Sequence, residues 1–372
     1  MIATQERKEL MNNPFTPTFG IVPPYLAGRK QILEDMDKAF NNWPGDPNLS
    51  TILIGPRGSG KTAMLSCIGD IALRKGWIVA DTSAADGMLE DVLQRTMDVA
   101  AEHIGREDKR KLTGIEIGSV LGLNWSVDSV TSANWRSRIS ELLKRLNERG
   151  IGLLITIDEV RSDVDEMIAF ATVYQHLIRE GAKVALAMAG LPIHVSELLS
   201  EKSVSFLRRS KQRYLGRISD TDIRSAFRQT VESAGKEIDN NALESCVEAS
   251  GGFAYMMQLV GYQIWDASSS RKIISTEDAN HGIQIAKDDF KSGVLRSTYR
   301  ELSNGDISFL NAMLKDSEES SVSEIAERMN KKPGYVSTYK KRLMQAGVIE
   351  ETGKSKVAFA IPMFREFLEE QE

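Results

Sequence analysis

The sequence predicts an α/β protein: a three-layer core around a parallel sheet, then an all-α segment, then a C-terminal winged helix-turn-helix. Three observations predict it. Between residues 51 and 217, short apolar strand segments alternate with helical periodicity. A glycine-rich octapeptide, Gly55-Pro56-Arg57-Gly58-Ser59-Gly60-Lys61-Thr62, separates the first strand from the helix after it. Beyond residue 219 the strand signal fades and returns only at the C-terminus, as helix, helix, turn, helix, strand, turn, strand. Strands that alternate with helices of this length pair in parallel and are covered on both faces.

Residues 1–27 read as an irregular N-terminal arm, since four of the ten prolines fall before residue 25. Gly28-Arg29 opens a helix with Ile32, Leu33, Met36 and Phe40 on one face. Pro44, Gly45 and Pro47 end it, because no helix runs through them. The core, residues 28–218, holds strands at 51–54, 77–81, 152–157, 183–188 and 213–217 and helices at 61–74, 88–103, 134–149 and 164–180. Residues 112–128 alternate apolar and polar with spaced glycines and read either as an inserted β-hairpin or as a long irregular loop. Residues 219–302 read as a helical bundle, with cap candidates at Ser219 to Asp222 and at Asp239 to Asn241.

Residues 303–372 form the last module. Ile307, Leu310 and Leu314 mark a first helix, Ser321 to Met329 a second, capped by Ser321 or Ser323, and Asn330 to Gly334 a turn. Tyr335 to Ala346 is the third helix, with Val336, Tyr339, Leu343 and Met344 inward, and Gly347 stops it. Val348 to Ala360 reads as strand, turn, strand.

Composition excludes several classes. With 372 residues, 41% hydrophobic and 27% charged, the chain is a multi-domain globular protein, and a net charge of −5 provides no global basic field. Cys67 and Cys246 sit in apolar helical surroundings and read as small buried hydrophobes, and four scattered histidines have no metal-ligand spacing. No stretch reaches the roughly 18 apolar residues of a membrane helix, and the N-terminus lacks the apolar core of a signal peptide. A cytoplasmic protein without membrane contact is expected.

The octapeptide fits G-x-x-x-x-G-K-[ST], with Thr51 to Ile54 as the strand before it and Ala63 onward as the helix after it. Gly55, Gly58 and Gly60 let the backbone wrap a di- or triphosphate, and Pro56, Arg57, Ser59 and Ala63 complete the loop and the helix start. Lys61 is expected to reach the β/γ-phosphates and Thr62 to hold Mg²⁺. Ile151 to Glu159 is an apolar strand ending in two acids at the sheet edge where open α/β folds bind ligands. Asp158 is expected to hold Mg²⁺, and Glu159 to activate water as a general base.

On these residues the chain resembles the AAA+ P-loop ATPases, in particular the branch of replication initiators and archaeal-type, STAND-like ATPases with a C-terminal winged helix. The resemblance also rests on Pro23 to Arg29 and on the domain order. It implies binding of ATP or ADP with Mg²⁺ and slow ATP hydrolysis. It also implies that Tyr25, Gly28 and Arg29 lie near the adenine, and that Arg208 or Arg209 acts as an arginine finger toward a neighbouring subunit; a solvated basic turn is the plainer reading of that pair. Two departures stand out. The fourth strand ends in Ala189-Gly190 without a polar sensor, and Ser250 to Gln258 carries no arginine.

For the last module, duplex DNA is the expected partner. The third helix would enter the major groove. Its outward residues are Tyr335, Ser337, Thr338, Lys340, Lys341 and Arg342, with Lys331 and Lys332 on the turn and Lys354 and Lys356 on the wing. The rival is a signalling or scaffold ATPase whose winged helix binds protein, favoured by the acidic neighbours Glu350, Glu351 and Glu366. A homo-oligomer or a protein partner is compatible with either.

Overall fold

The computed structural model describes residues 12–18, 20–107, 132–269 and 271–371, so the hairpin or loop expected over 112–128 lies outside the described residues. The chain divides into two compact units, one of residues 31–56 and 61–215, the other of residues 1–30, 57–60 and 216–372.

The first unit is a three-layer α/β core. Its elements run α1 (Lys30–Asn41), β1 (Ser50–Ile54), α2 (Lys61–Arg74), β2 (Trp77–Ser83), α3 (Met88–Glu107), α4 (Ser132–Glu148), β3 (Gly152–Asp158), α5 (Asp165–Arg179), β4 (Val184–Gly190), α6 (Pro192–Ser200), a 3₁₀ stretch (Lys202–Arg209) and β5 (Lys211–Tyr214). The strands lie in the order β2-β3-β4-β1-β5, all parallel. β3 and β4 are apolar on both faces because both are covered: Leu153, Leu154, Ile155 and Ile157 and all of Val184 to Ala189 are buried. Each of the larger side chains among them contributes about 1.5–3 kcal/mol by burial, so Ile155→Ala costs about 2–5 kcal/mol. Gly152 begins β3 because the Trp77 indole lies against it; a Cβ there would stand 2.4 Å from the ring.

The second unit begins with residues 12–30. Asn13 donates to the carbonyl of Tyr262 and to Asp266, and Phe15 fills the space a side chain on Gly261 would need. The helical part holds α7 (Asp220–Ser233), β6 (Glu237–Ile238), α8 (Asn240–Ser250), α9 (Ala254–Ala267), β7 (Ile273–Ile274) and α10 (Thr276–Phe290). α10 runs through a π turn (Lys291–Leu295) into α11 (Arg296–Arg300). The C-terminal part follows: α12 (Asn304–Met313), β8 (Ser320–Ser321), α13 (Val322–Arg328), α14 (Pro333–Gln345), β9 (Ile349–Gly353), β10 (Lys356–Phe359) and α15 (Phe364–Glu369). Its sheet is antiparallel, in the order β8-β10-β9. Ser219 caps α7 as its sequence position suggests, and Ser275 and Ser303 form capping boxes with Asp278 and Asp306.

Several boundaries differ from expectation. α1 starts at Lys30, because Gly28 has φ +65, which no helical residue adopts. β5 occupies 211–214 rather than 213–217: Leu215 donates its N–H to the carbonyl of Ile54, and regular pairing stops there. The helical segment contains a two-residue parallel pair, β6 with β7. Ser321 stands at the N-cap of α13 without capping it; its hydroxyl instead meets that of Ser323 at 2.7 Å. The acidic C-terminus contains α15, with Phe364, Phe367 and Leu368 buried. Cys67 and Cys246 are free and buried, and burial raises their thiols to about 11 and about 12.

Candidate functional site

β1 delivers the octapeptide and α2 receives it. Gly55 donates its N–H to the carbonyl of Gly190, which ties the start of the loop to the end of β4. Gly58 and Gly60 have φ +74 and +87, so the loop needs glycine there for its backbone and not for lack of space. Lys61 turns back over the loop and donates from Nζ to the carbonyls of Gly55 (2.9 Å) and Pro56 (2.8 Å). Ser59 is buried, and its hydroxyl has no hydrogen-bond partner. Arg57 and Gly58 are exposed, and Ala63 lies in the first turn of α2.

The second half of the site is the C-terminal end of β3. Thr62 donates its hydroxyl to Oδ2 of Asp158 over 2.6 Å, across 96 positions of sequence. Asp158 Oδ1 accepts the N–H of Glu159 at 2.8 Å. Glu159 is exposed with φ +53, a backbone state that costs a non-glycine residue of order 1 kcal/mol and clusters at functional sites. Just beyond it, Asp163 grips Arg161 with two hydrogen bonds of 2.8 and 2.6 Å and, with Glu159 nearby, raises the Arg161 pKa. A groove of about 840 Å³ opens beside Thr62 and Asp158 and runs along α2, β2 and α3; it offers a hydrated cation a route to both oxygens.

These residues fit a nucleotide phosphate and Mg²⁺. A hydroxyl and a carboxylate in contact are the hard oxygen donors that Mg²⁺ takes. The unpartnered Ser59 hydroxyl and the ammonium folded onto the loop's own carbonyls are groups an anion in the loop would satisfy.

The comparisons with known proteins fall on the same architecture. A sequence family described as Domain of unknown function (DUF8462) matches residues 292–368, the π turn through α15. No curated protein matches the sequence. Among solved structures, the Walker-type ATPase PABY2304 of Pyrococcus abyssi superposes with a TM-score of 0.65 at 14% identity, over 92% of this chain and 96% of that one. The ORC2 protein of Aeropyrum pernix gives 0.59 at 13%, over 95% and 96%, and Cdc6p of Pyrobaculum aerophilum gives 0.51 at 15%, over 95% and 97%. The chain shares the fold of these three solved structures.

The remaining expected positions are dispersed. Arg29 is buried rather than exposed and donates to the carbonyl of Gly216 at 2.9 Å; burial lowers its pKa and Asp222 opposes the shift. Gly28 lies against Asp222 and Ile218, and Tyr25 is half-buried against the helical core. Arg208 and Arg209 are both exposed on the 3₁₀ stretch, with Arg208 donating to the carbonyl of Leu199. The departures at Ala189-Gly190 and Gly251-Gly252 have structural causes. Every residue of β4 is buried, and the Ala189 carbonyl accepts the Val160 N–H. Gly251 ends α8 in the left-handed conformation, and Gly252 packs against Arg217.

Lys331 and Lys332 just before α14, and Tyr335, Ser337, Thr338 and Lys341 on it, are exposed. Ser337 and Thr338 donate to carbonyls of their own helix, which leaves their oxygens as acceptors. Lys340 pairs with Glu351, and Lys356 with Glu319. Arg342 is tied to Asp306 of α12. Lys354 lies on the exposed turn between β9 and β10. Among the described residues no helix is long and apolar enough to cross a membrane. Two residues that sequence reasoning left without a role, Arg217 and Asp306, emerge only from their tertiary contacts.

Proposed function

We propose that the protein is an ATP-dependent switch: it binds ATP or ADP with Mg²⁺ at the octapeptide, hydrolyses ATP slowly, and binds duplex DNA through a C-terminal winged helix, residues 303–372. The contact between Thr62 and Asp158 carries the reading, because it brings the two Mg²⁺ donors together at the head of the loop. In this reading Lys61 leaves the loop carbonyls for the β/γ-phosphates, the N–H groups of residues 57–62 hold phosphate oxygens, and Glu159 orients water. Tyr25, Gly28 and Arg29 bound the base, and Arg208 or Arg209 reaches the nucleotide of a neighbouring copy. The Aeropyrum pernix ORC2 protein, of similar fold, was solved as ADPNP and ADP complexes, which supports the nucleotide part.

For DNA, Lys331, Lys332, Lys341 and Lys354 meet phosphates, and Tyr335, Ser337 and Thr338 face base edges. The pair of Lys356 is exposed and that of Lys340 partly so; surface pairs of this kind are worth about 0–1 kcal/mol, so phosphate displaces their carboxylates easily. A second reading, a protein-binding module in a signalling or scaffold ATPase, draws on those same internal ion pairs and on Tyr335, 42% exposed with its ring 4.8 Å from that of Tyr339.

The test is ATP hydrolysis by the wild type and Lys61→Ala, with and without duplex DNA, together with DNA affinity across a salt series. The reading predicts turnover that DNA stimulates and the variant loses, and affinity that falls steeply with salt. ATP binding without turnover and without DNA binding at low salt moves the assignment to the protein-binding switch.

A further inference from the structure

Arg217 lies between β5 and α7. Its Nη2 donates to the carbonyl of Gly251 at 2.6 Å, and its guanidinium stands 5.6 Å from the centre of the Phe253 ring. Ile218 beside it donates its N–H to the carbonyl of Gly252 at 2.8 Å. A Cβ on Gly252 would come within 3.0 Å of the Arg217 side chain. Both carbonyls of the Gly251-Gly252 turn are thus held by consecutive residues.

That turn launches α9, whose first residues meet the tip of the octapeptide loop. Tyr255 donates its N–H to the carbonyl of Gly58 at 3.2 Å, and the Ala254 Cβ lies 3.5 Å from where a Cβ on Gly60 would stand. Phe253 is the N-cap and supplies no side-chain acceptor, so the turn, not a cap, aims the helix. A helix N-terminus carries a positive field that falls off within a turn, so its placement against the loop tip affects any anion there.

We propose that Arg217 is a positioning residue: by fixing the Gly251-Gly252 turn it aims the start of α9 at the loop tip and so sets the affinity for a nucleoside di- or triphosphate. The inference rests on the reading that the loop binds nucleotide. Arginine suits the position because its planar fork holds a carbonyl while lying over a ring, which an ammonium does poorly.

The test uses the full chain. ADP with Mg²⁺ is titrated calorimetrically into the wild type, Arg217→Ala, Arg217→Lys and Lys61→Ala, and melting temperature and amide exchange over residues 253–257 are recorded without nucleotide. Arg217→Ala is expected to weaken ADP at least about fivefold, the lower end of ordinary coupling, with faster exchange over 253–257 and an unchanged melting temperature. Arg217→Lys recovers part of the loss. Wild-type affinity and exchange in Arg217→Ala overturn the inference, as does a loss that only tracks a lower melting temperature. Should Arg217→Ala fail to fold, wild-type affinity and wild-type exchange over 253–257 in Arg217→Lys overturn it. Lys61→Ala separates the premises: ADP binding by the wild type that this variant loses keeps the nucleotide reading whatever Arg217 does, whereas a wild type that ignores ADP removes both.

Discussion

Arg342 holds its guanidinium 3.0 Å from Oδ2 of Asp306, a carboxylate whose side chain has no exposed surface although 55% of the Arg342 side chain faces solvent. Asp306 Oδ2 also accepts the N–H and hydroxyl of Ser303, and Oδ1 has no partner. The third helix of the C-terminal module thus carries one cation that serves α12 beneath it. Arg342→Ala leaves a buried acid short of its countercharge, and we expect it to cost about 1–3 kcal/mol in urea denaturation. Lys341→Ala, on the exposed face, should stay within about 0.5 kcal/mol. Equal stability of the two variants would assign Arg342 to the surface instead.

Glu159 directly follows Asp158, the proposed Mg²⁺ donor, and is held at φ +53, with its side chain exposed. Glu159→Gln keeps shape and hydrogen bonding but cannot take a proton. Turnover is expected to fall on the order of 10²–10⁴-fold while ATP affinity stays level, read by phosphate release and calorimetry on the same preparation. Retained turnover would mean that another group activates the water.

How much of this was legible beforehand follows from where each signal originates. β1, β3 and β4 were readable because burial on both faces leaves apolar runs such as Leu153 to Ile155. β5 was misplaced because Lys211-Gln212-Arg213-Tyr214 sits at a sheet edge and needs no apolar run. α15 was hidden by its acids, although Phe364, Phe367 and Leu368 already had helical spacing. Thr62 and Asp158 were legible because the loop pattern and a strand ending in acid are local. Arg217 and Asp306 were not, because their partners are a turn carbonyl and a guanidinium 34 and 36 positions away, and nothing in their neighbours' composition marks them.

The missing polar sensor at the end of β4 has a steric cause that can be measured. A Cβ on Gly190 would stand 2.6 Å from Cγ2 of Val160, 3.0 Å from Cγ2 of Val195 and 3.3 Å from the Val160 carbonyl oxygen. No side chain fits there without moving the segment that follows Glu159. Gly190→Ala is expected to destabilise the core by about 1–3 kcal/mol and, by shifting Val160, to reduce turnover as well. Unchanged urea stability would show that the segment yields easily.

The C-terminal module carries its own acid sensitivity. Arg328 grips Asp316 with two hydrogen bonds of 2.5 and 2.7 Å and also donates to the carbonyl of Ala312, which pins the end of α13 beneath α12. Hydrogen bonding from Arg328, against the opposing effect of burial and with help from Ser320, holds the Asp316 carboxyl at about 2 where 3.8 is ordinary. A depressed carboxyl stabilises the fold above its unfolded value, and the contribution disappears as pH falls through the folded one. The pair therefore contributes fully above about pH 4 and progressively less toward pH 2. Asp316→Asn should unfold at lower urea than the wild type at pH 7 and 5, with the gap narrowing at pH 3 and closing near pH 2. A gap that persists at pH 2 would mean that the carboxyl acts by shape and hydrogen bonding and not by charge.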